Sequence, residues 1–144
     1  MADRARVDGV RVLVVDNASC VLDVVTAILE ENGAVVTTVD SADAALEALQ
    51  CTRPDVLLGD LSMPGKGGYW LIGQVRQLPP EHGGATPAAA LTAFSNLEHR
   101  AGVLRAGFQV HVEKPVGMRE LVDVVAALAG QQVTRGVDAA SSTR

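Results

Sequence analysis

Apolar residues recur along the chain in two alternating rhythms. Five short runs rich in β-branched or aliphatic side chains predict five strands: Val10–Val15, Ala34–Val39, Val56–Leu58, Ala88–Leu91 and Phe108–Val112. Between them the apolar spacing lengthens to three and four residues, the period of a helix that buries one face. Val21, Leu22, Val25, Ile28 and Leu29 mark a first helix, which Asn32-Gly33 stops because glycine turns the chain left-handed at no steric cost. A second helix is predicted over 41–50. Leu71, Val75 and Leu78 mark a third, ended by Pro79-Pro80, which lack the amide donor a helix needs. A loop through Glu81, His82, Gly83 and Gly84 follows. Ser95 and Glu98 have the spacing of a capping box and open a fourth helix carrying Leu97, Ala101 and Leu104. Leu121, Val124, Val125 and Leu128 define the fifth.

Strands that alternate with helices imply right-handed crossovers, which make the sheet parallel and cover both of its faces. The expected fold class is α/β: a doubly wound five-stranded parallel sheet, flavodoxin-like in its order 2-1-3-4-5, with helices on both faces. In that order ligands bind beyond the carboxyl ends of the strands, at the switch point between strands 1 and 3. The expected organisation is a flexible N-terminal segment at 1–9, one domain over 10–129 and a flexible tail over 130–144. In the tail Gln, Gly, Ser, Thr and Arg replace the apolar period.

Composition narrows the function classes. Hydrophobic residues make up 48% of the 144 positions and aromatics only 3%, so the core is built from Val, Leu, Ile and Ala, which suits a buried parallel sheet. A net charge of −5, with twelve scattered Lys and Arg, argues against nucleic acid as a partner. The first residues contain no apolar leader core and no apolar run approaches a membrane span, so no membrane insertion is expected. Cys20 and Cys51 have no metal-ligand spacing and read as reduced thiols of a cytoplasmic protein, Cys20 as a small core or boundary residue. His82 and His99 read as surface residues.

The chemistry collects at the strand ends. Strand 1 runs into Asp16-Asn17, strand 3 into Asp60, strand 4 into Thr92 and strand 5 into Lys114. Singly, each has an ordinary reading: Asp16 or Asn17 as a helix cap, Asp60 as a turn, Thr92 as structure, Lys114 as a solvated loop residue. Together they assemble two carboxylates, an amide, a hydroxyl and an ammonium. Carboxylate and amide oxygens suit Mg²⁺, which keeps several waters, and a carboxylate can attack phosphorus to give an acyl phosphate. Phosphoryl transfer then needs little beyond positioning and neutralisation of the phosphoryl oxygens. Gly65-Lys66-Gly67-Gly68 is not a P-loop, because five residues rather than four separate Gly59 from Gly65 and no hydroxyl follows Lys66.

VLVVDN at 12–17, PDVLLGDLSMPGKGG at 54–68, ALTA at 90–93 and EKP at 113–115 resemble the four signature blocks of response-regulator receiver domains, over roughly residues 10 to 129. The stretches LPPEHGGATPAAALTA and AGFQVHVEKPV are most like the C-terminal receiver modules of hybrid sensor histidine kinases. By that resemblance Asp60 is the phosphoacceptor, fed by a histidine kinase or histidine phosphotransfer domain. Asp16, Asn17, Asp60 and the main-chain carbonyl of Ser62 hold Mg²⁺. Thr92 and Lys114 contact the phosphate, and His111 stands where the family usually has a Tyr or Phe that changes rotamer. Thr92 and His111 are expected on the same side of the sheet as Asp60. The face of the fourth helix and fifth strand is the one expected to switch, and with the fifth helix it is the expected surface for a homodimer or target. The protein is then a signalling switch with no independent substrate turnover.

Three departures stand out: Asn17 where most members have a second acid, Gly67 where Asp is common, and Trp70 at a helix position that is usually polar. An exposed Trp70 would mark a partner surface. Asn17 keeps a second reading open, a pseudo-receiver that signals without phosphate. A flavodoxin-like cofactor protein is a third, disfavoured because Asp16-Asn17 replaces the phosphate loop such proteins need after strand 1.

Overall fold

The apolar runs close into one parallel sheet. The computed structural model describes residues 7–61, 63, 65–92, 97–114 and 117–140, with the backbone alone for 97–99 and 131–140. Its strands are β1 (Arg11–Val15), β2 (Val35–Val39), β3 (Val56–Asp60), β4 (Ala88–Thr92) and β5 (Val110–Glu113), in the order 2-1-3-4-5. The helices are α1 (Ser19–Glu31), α2 (Ala42–Thr52), α3 (Gly68–Gln77), α4 (Leu97–Ala106) and α5 (Met118–Ala140). Fold class and strand order are as the sequence predicts.

Alternation along the strands builds two cores. On one face Val12, Val14, Leu58, Leu91 and Val112 pack against Val25, Ile28 and Leu29 of α1 and Leu121, Val125 and Leu128 of α5. On the other, Leu13, Val15, Leu57, Ala88 and Ala90 meet Ala45 and Leu49 of α2, Leu71, Ile72 and Val75 of α3, and Val103 of α4. β3 and β4, covered on both sides, are buried at every position, which is why they read as unbroken apolar runs. At the amino ends of the strands, the Arg76 guanidinium donates to the carbonyls of Gly84, Thr86 and Gly107 and to Gln109 Oε1, at 2.7–3.1 Å. That cation fastens α3 to the segments entering β4 and β5.

Several boundaries differ from the sequence pattern. The core begins at Val7, fully buried inside the stretch assigned to the N-terminal segment, and Gly9 N donates to Gly33 O. α5 continues to Ala140, past the end of apolar periodicity at Gly130, because QQVTRGVDAA contains no proline to stop it. Pro80–His82 forms a short 3-10 turn where a loop was predicted. Cys20 is exposed rather than a core or boundary residue: the buried stripe of α1 is set by Val25, Ile28 and Leu29, and Cys20 falls off that phase. The capping serine, Ser95, lies outside the described residues.

Candidate functional site

Val15 of β1 pairs with Gly59 of β3, so the next residue on each strand, Asp16 and Asp60, emerges side by side at the carboxyl edge. Both carboxylates are buried, at 0% and 3% exposure. Asp16 Oδ1 accepts a hydrogen bond from Ala18 N at 2.9 Å, turning the chain into α1. The helix cap itself is Ala18, without a side-chain bond, so neither Asp16 nor Asn17 is the cap.

Lys114 joins the two acids. It follows β5 directly, and its backbone N–H donates to Thr92 O at 2.7 Å, which fixes where its side chain starts. Its Nζ donates to Asp16 Oδ2 at 2.9 Å and to Asp60 Oδ1 at 3.2 Å. Burial alone would lower the Lys114 pKa, but the hydrogen bonds to Asp16 and Asp60 and their negative charges outweigh it. The ammonium is held above its ordinary value of 10.5. Among the described residues the cluster sets two buried carboxylates against one ammonium, an arrangement that suits a further cation at the mouth of the site.

The donor set fits Mg²⁺. Asp16 and Asp60 offer hard carboxylate oxygens, and Asn17, exposed at the edge, offers an amide oxygen. Among the described residues no three His, Cys, Asp or Glu gather as a metal cluster; Mg²⁺ is commonly held by only one or two carboxylates and keeps several waters. Ser62, the expected carbonyl ligand, lies outside the described residues.

The chain beyond Asp60 is packed tightly by glycine. A Cβ on Gly68 would lie 2.8 Å from Asp60 O and 2.9 Å from Leu61 Cδ2, so the start of α3 can rest on the backbone of the central acid only without a side chain there. Next to it, Lys66 forms an exposed ion pair with Asp43 of α2 at 3.1 Å, and its Nζ sits 4.5 Å from the centre of the Trp70 ring. Trp70 is half-buried against the α2/α3 core and covered by this cation, which removes the argument for it as an open partner surface. Gly68 and the Asp43–Lys66 pair were missed as site elements. The only signal for them was the paired glycines at 67–68.

Thr92 and His111 are placed differently from the expectation. Asp60 pairs with Leu91, and Leu91 with Val112, which puts those positions on the α1/α5 face. His111 pairs with Ala90, and Thr92 follows two residues later, so both belong to the opposite face. Thr92 is fully buried and His111 half-buried.

Comparison with known proteins gives a consistent picture. Residues 12–126 match the family described as response regulator receiver domain. An uncharacterised 14.6 kDa protein of Leptolyngbya boryana is 41% identical over 79% of this chain and 86% of that protein. The sensor histidine kinase GacS of Pseudomonas protegens is 36% identical over 83% of this chain, which spans only 13% of the kinase. The receiver domain of sensor histidine kinase PA1611 from Pseudomonas aeruginosa, crystallised with a magnesium ion in its active-site cleft, has a TM-score of 0.77 and 29% identity, over 85% of this chain and 98% of that one.

Proposed function

The chain belongs to the response regulator receiver domain family of two-component signalling, and we propose that it is an active phosphoacceptor with Asp60 as the residue phosphorylated. The observation that carries this reading is the Lys114 ammonium between the buried Asp16 and Asp60 carboxylates. Three charges withdrawn from water onto three strand ends are costly to maintain for structure alone, since apolar residues could fill the same space.

In this reading an Asp60 oxygen attacks the phosphorus of a phosphohistidine on a histidine kinase or phosphotransfer domain. The O–P bond forms as the N–P bond breaks, and the imidazole leaves with a proton from solvent. Asp16, Asp60, Asn17 and the Ser62 carbonyl would hold Mg²⁺, which would supply neutralisation of the phosphoryl oxygens. Lys114 keeps its bond to Asp16 and offers its remaining protons to the new phosphoryl group. Thr92 and His111 relay the change. Because they share the face covered by α4 rather than that of Asp60, the relay crosses the sheet at the end of β4 and biases the α4/β5 surface between two states. With α5, that surface is also the proposed site for a homodimer or target. Likeness to the receiver modules of GacS and PA1611 supports a kinase or phosphotransfer partner and a cytoplasmic setting, and no helix among the described residues is long and apolar enough to cross a membrane.

Asn17 favours one competing reading. An exposed amide in place of an acid leaves the site two carboxylates, and a pseudo-receiver that switches without phosphate needs no more. Incubation with a small phosphoramidate and Mg²⁺ separates the two by intact mass. The phosphoacceptor gains one phosphoryl group and Asp60→Asn gains none, whereas a wild type unchanged at every Mg²⁺ concentration is a pseudo-receiver.

A further inference from the structure

β2 is the outermost strand on its side of the sheet, and among the described residues no strand pairs with its outer edge. Val35 N donates to Val10 O, and Val39 O accepts from Asp16 N, so the odd-numbered residues of β2 bond inward to β1. Alternation then turns the N–H and C=O groups of Val36 and Thr38 outward. Sheet edges are normally blunted by a lysine, a proline, an inward charge or a bulge, because an open edge pairs with any extended chain. The sequence of β2, VVTTV, has none of these side chains, and Val35, Thr37 and Thr38 are exposed.

Beside this edge runs a groove of about 400 Å³ between β2 and α1. Leu22, Ala27 and Val36 give it an apolar floor, Ser19, Thr26 and Thr38 give it hydroxyls, and its only charged residues are Asp23 and Glu30. These acids lie two turns apart on α1, about 10 Å. Alternate side chains of an extended strand lie about 6.6 Å apart on one face, so two cations at alternate positions can reach both acids.

We propose that the β2 edge and the acidic groove beside it dock an extended, cationic segment of a partner protein, which adds to the sheet as a sixth strand. Its main chain bonds Val36 and Thr38. The aliphatic stems of its Lys or Arg side chains lie over the floor, and their cationic ends pair with Asp23 and Glu30. Charge complementarity selects this occupant over an acidic segment or a second copy of this chain, whose own β2 carries no cation.

The test uses the whole chain and a short synthetic peptide in which Lys and Val alternate, with a Glu–Val peptide as control. The Lys–Val peptide is expected to shift the amide resonances of 35–39 and of Asp23 to Glu30, and the Glu–Val peptide to leave them unmoved. Thr38→Pro removes one outward N–H and spares the ladder to β1, and should weaken binding about tenfold or more. The double variant Asp23→Lys/Glu30→Lys, at two exposed positions that do not threaten folding, should reverse the preference between the peptides. Absent binding, shifts elsewhere on the chain, or binding indifferent to the double variant would overturn the proposal. So would concentration-dependent shifts of 35–39 without peptide, which would give the edge to a second copy.

Discussion

Replacing Lys114 by Met keeps most of the aliphatic stem and removes the charge together with its hydrogen bonds to Asp16 and Asp60. Each of its ion pairs, at 2.9 and 3.2 Å, carries a Coulomb attraction of about 5 kcal/mol at an effective dielectric near 20. Desolvation of three charges takes back much of that, and the Lys114 side chain is still 23% exposed, so solvent screens part of the remainder. Removing one member of a buried pair typically costs about 3–5 kcal/mol because the other is left uncompensated. Discounted for that exposure, the expected loss at neutral pH is about 2–4 kcal/mol, a large share of the ~5–15 kcal/mol of a typical domain. Urea unfolding in EDTA should show the midpoint falling by about 1–2 M. The pH dependence has a definite sign. Because the folded-state pKa of Lys114 is raised, its stabilisation is fully present below 10.5 and is lost as pH climbs through the raised value. The gap between wild type and Lys114→Met should therefore be constant around neutrality and shrink above about pH 10.5. Saturating Mg²⁺ should stabilise the variant more than the wild type, since the ion then no longer competes with the ammonium for Asp16 and Asp60. A loss below about 0.5 kcal/mol, or a gap unchanged at high pH, would refute the reasoning.

Asn17→Asp restores a third anion, but at an exposed position where solvent screens it. Mg²⁺ affinity, followed by calorimetry or Trp70 fluorescence, should rise about three- to tenfold. Gly68→Ala forces a Cβ into a space bounded by backbone 2.8 Å away, so it should cost about 1–3 kcal/mol in urea unfolding and slow phosphorylation of Asp60. Arg76→Met strips four acceptors of one shared donor and should cost about 2–3 kcal/mol. Because Arg76 sits at the opposite end of the sheet, the initial phosphorylation rate of the folded fraction should be unchanged.

Particular residues show what the sequence could and could not disclose. β3 and β4 were readable because a strand covered on both faces has to be apolar throughout. Asp16, Asp60 and Lys114 were readable because polar groups stand out at the ends of such strands. The face of Thr92 and His111 was not, because a parallel ladder that pairs Asp60 with Leu91 instead of Thr92 shifts the count by one and inverts the side chains. The Asp43–Lys66 pair and the seat of Gly68 depend on how closely α2 and α3 approach the Asp60 loop, which no spacing encodes. Cys20 was misassigned because the phase of α1 is fixed by which of its residues meet the α1/α5 core, and apolar periodicity leaves that phase open at the first turn.

The central claim, that Asp60 takes the phosphoryl group, is tested most directly by locating it. Treating the wild type with phosphoramidate and Mg²⁺, reducing the acyl phosphate with borohydride and sequencing the peptides by mass spectrometry marks the modified carboxylate as its alcohol. The account predicts homoserine at position 60 and nowhere else. Reduction at Asp16, or at no residue under saturating Mg²⁺, would contradict it.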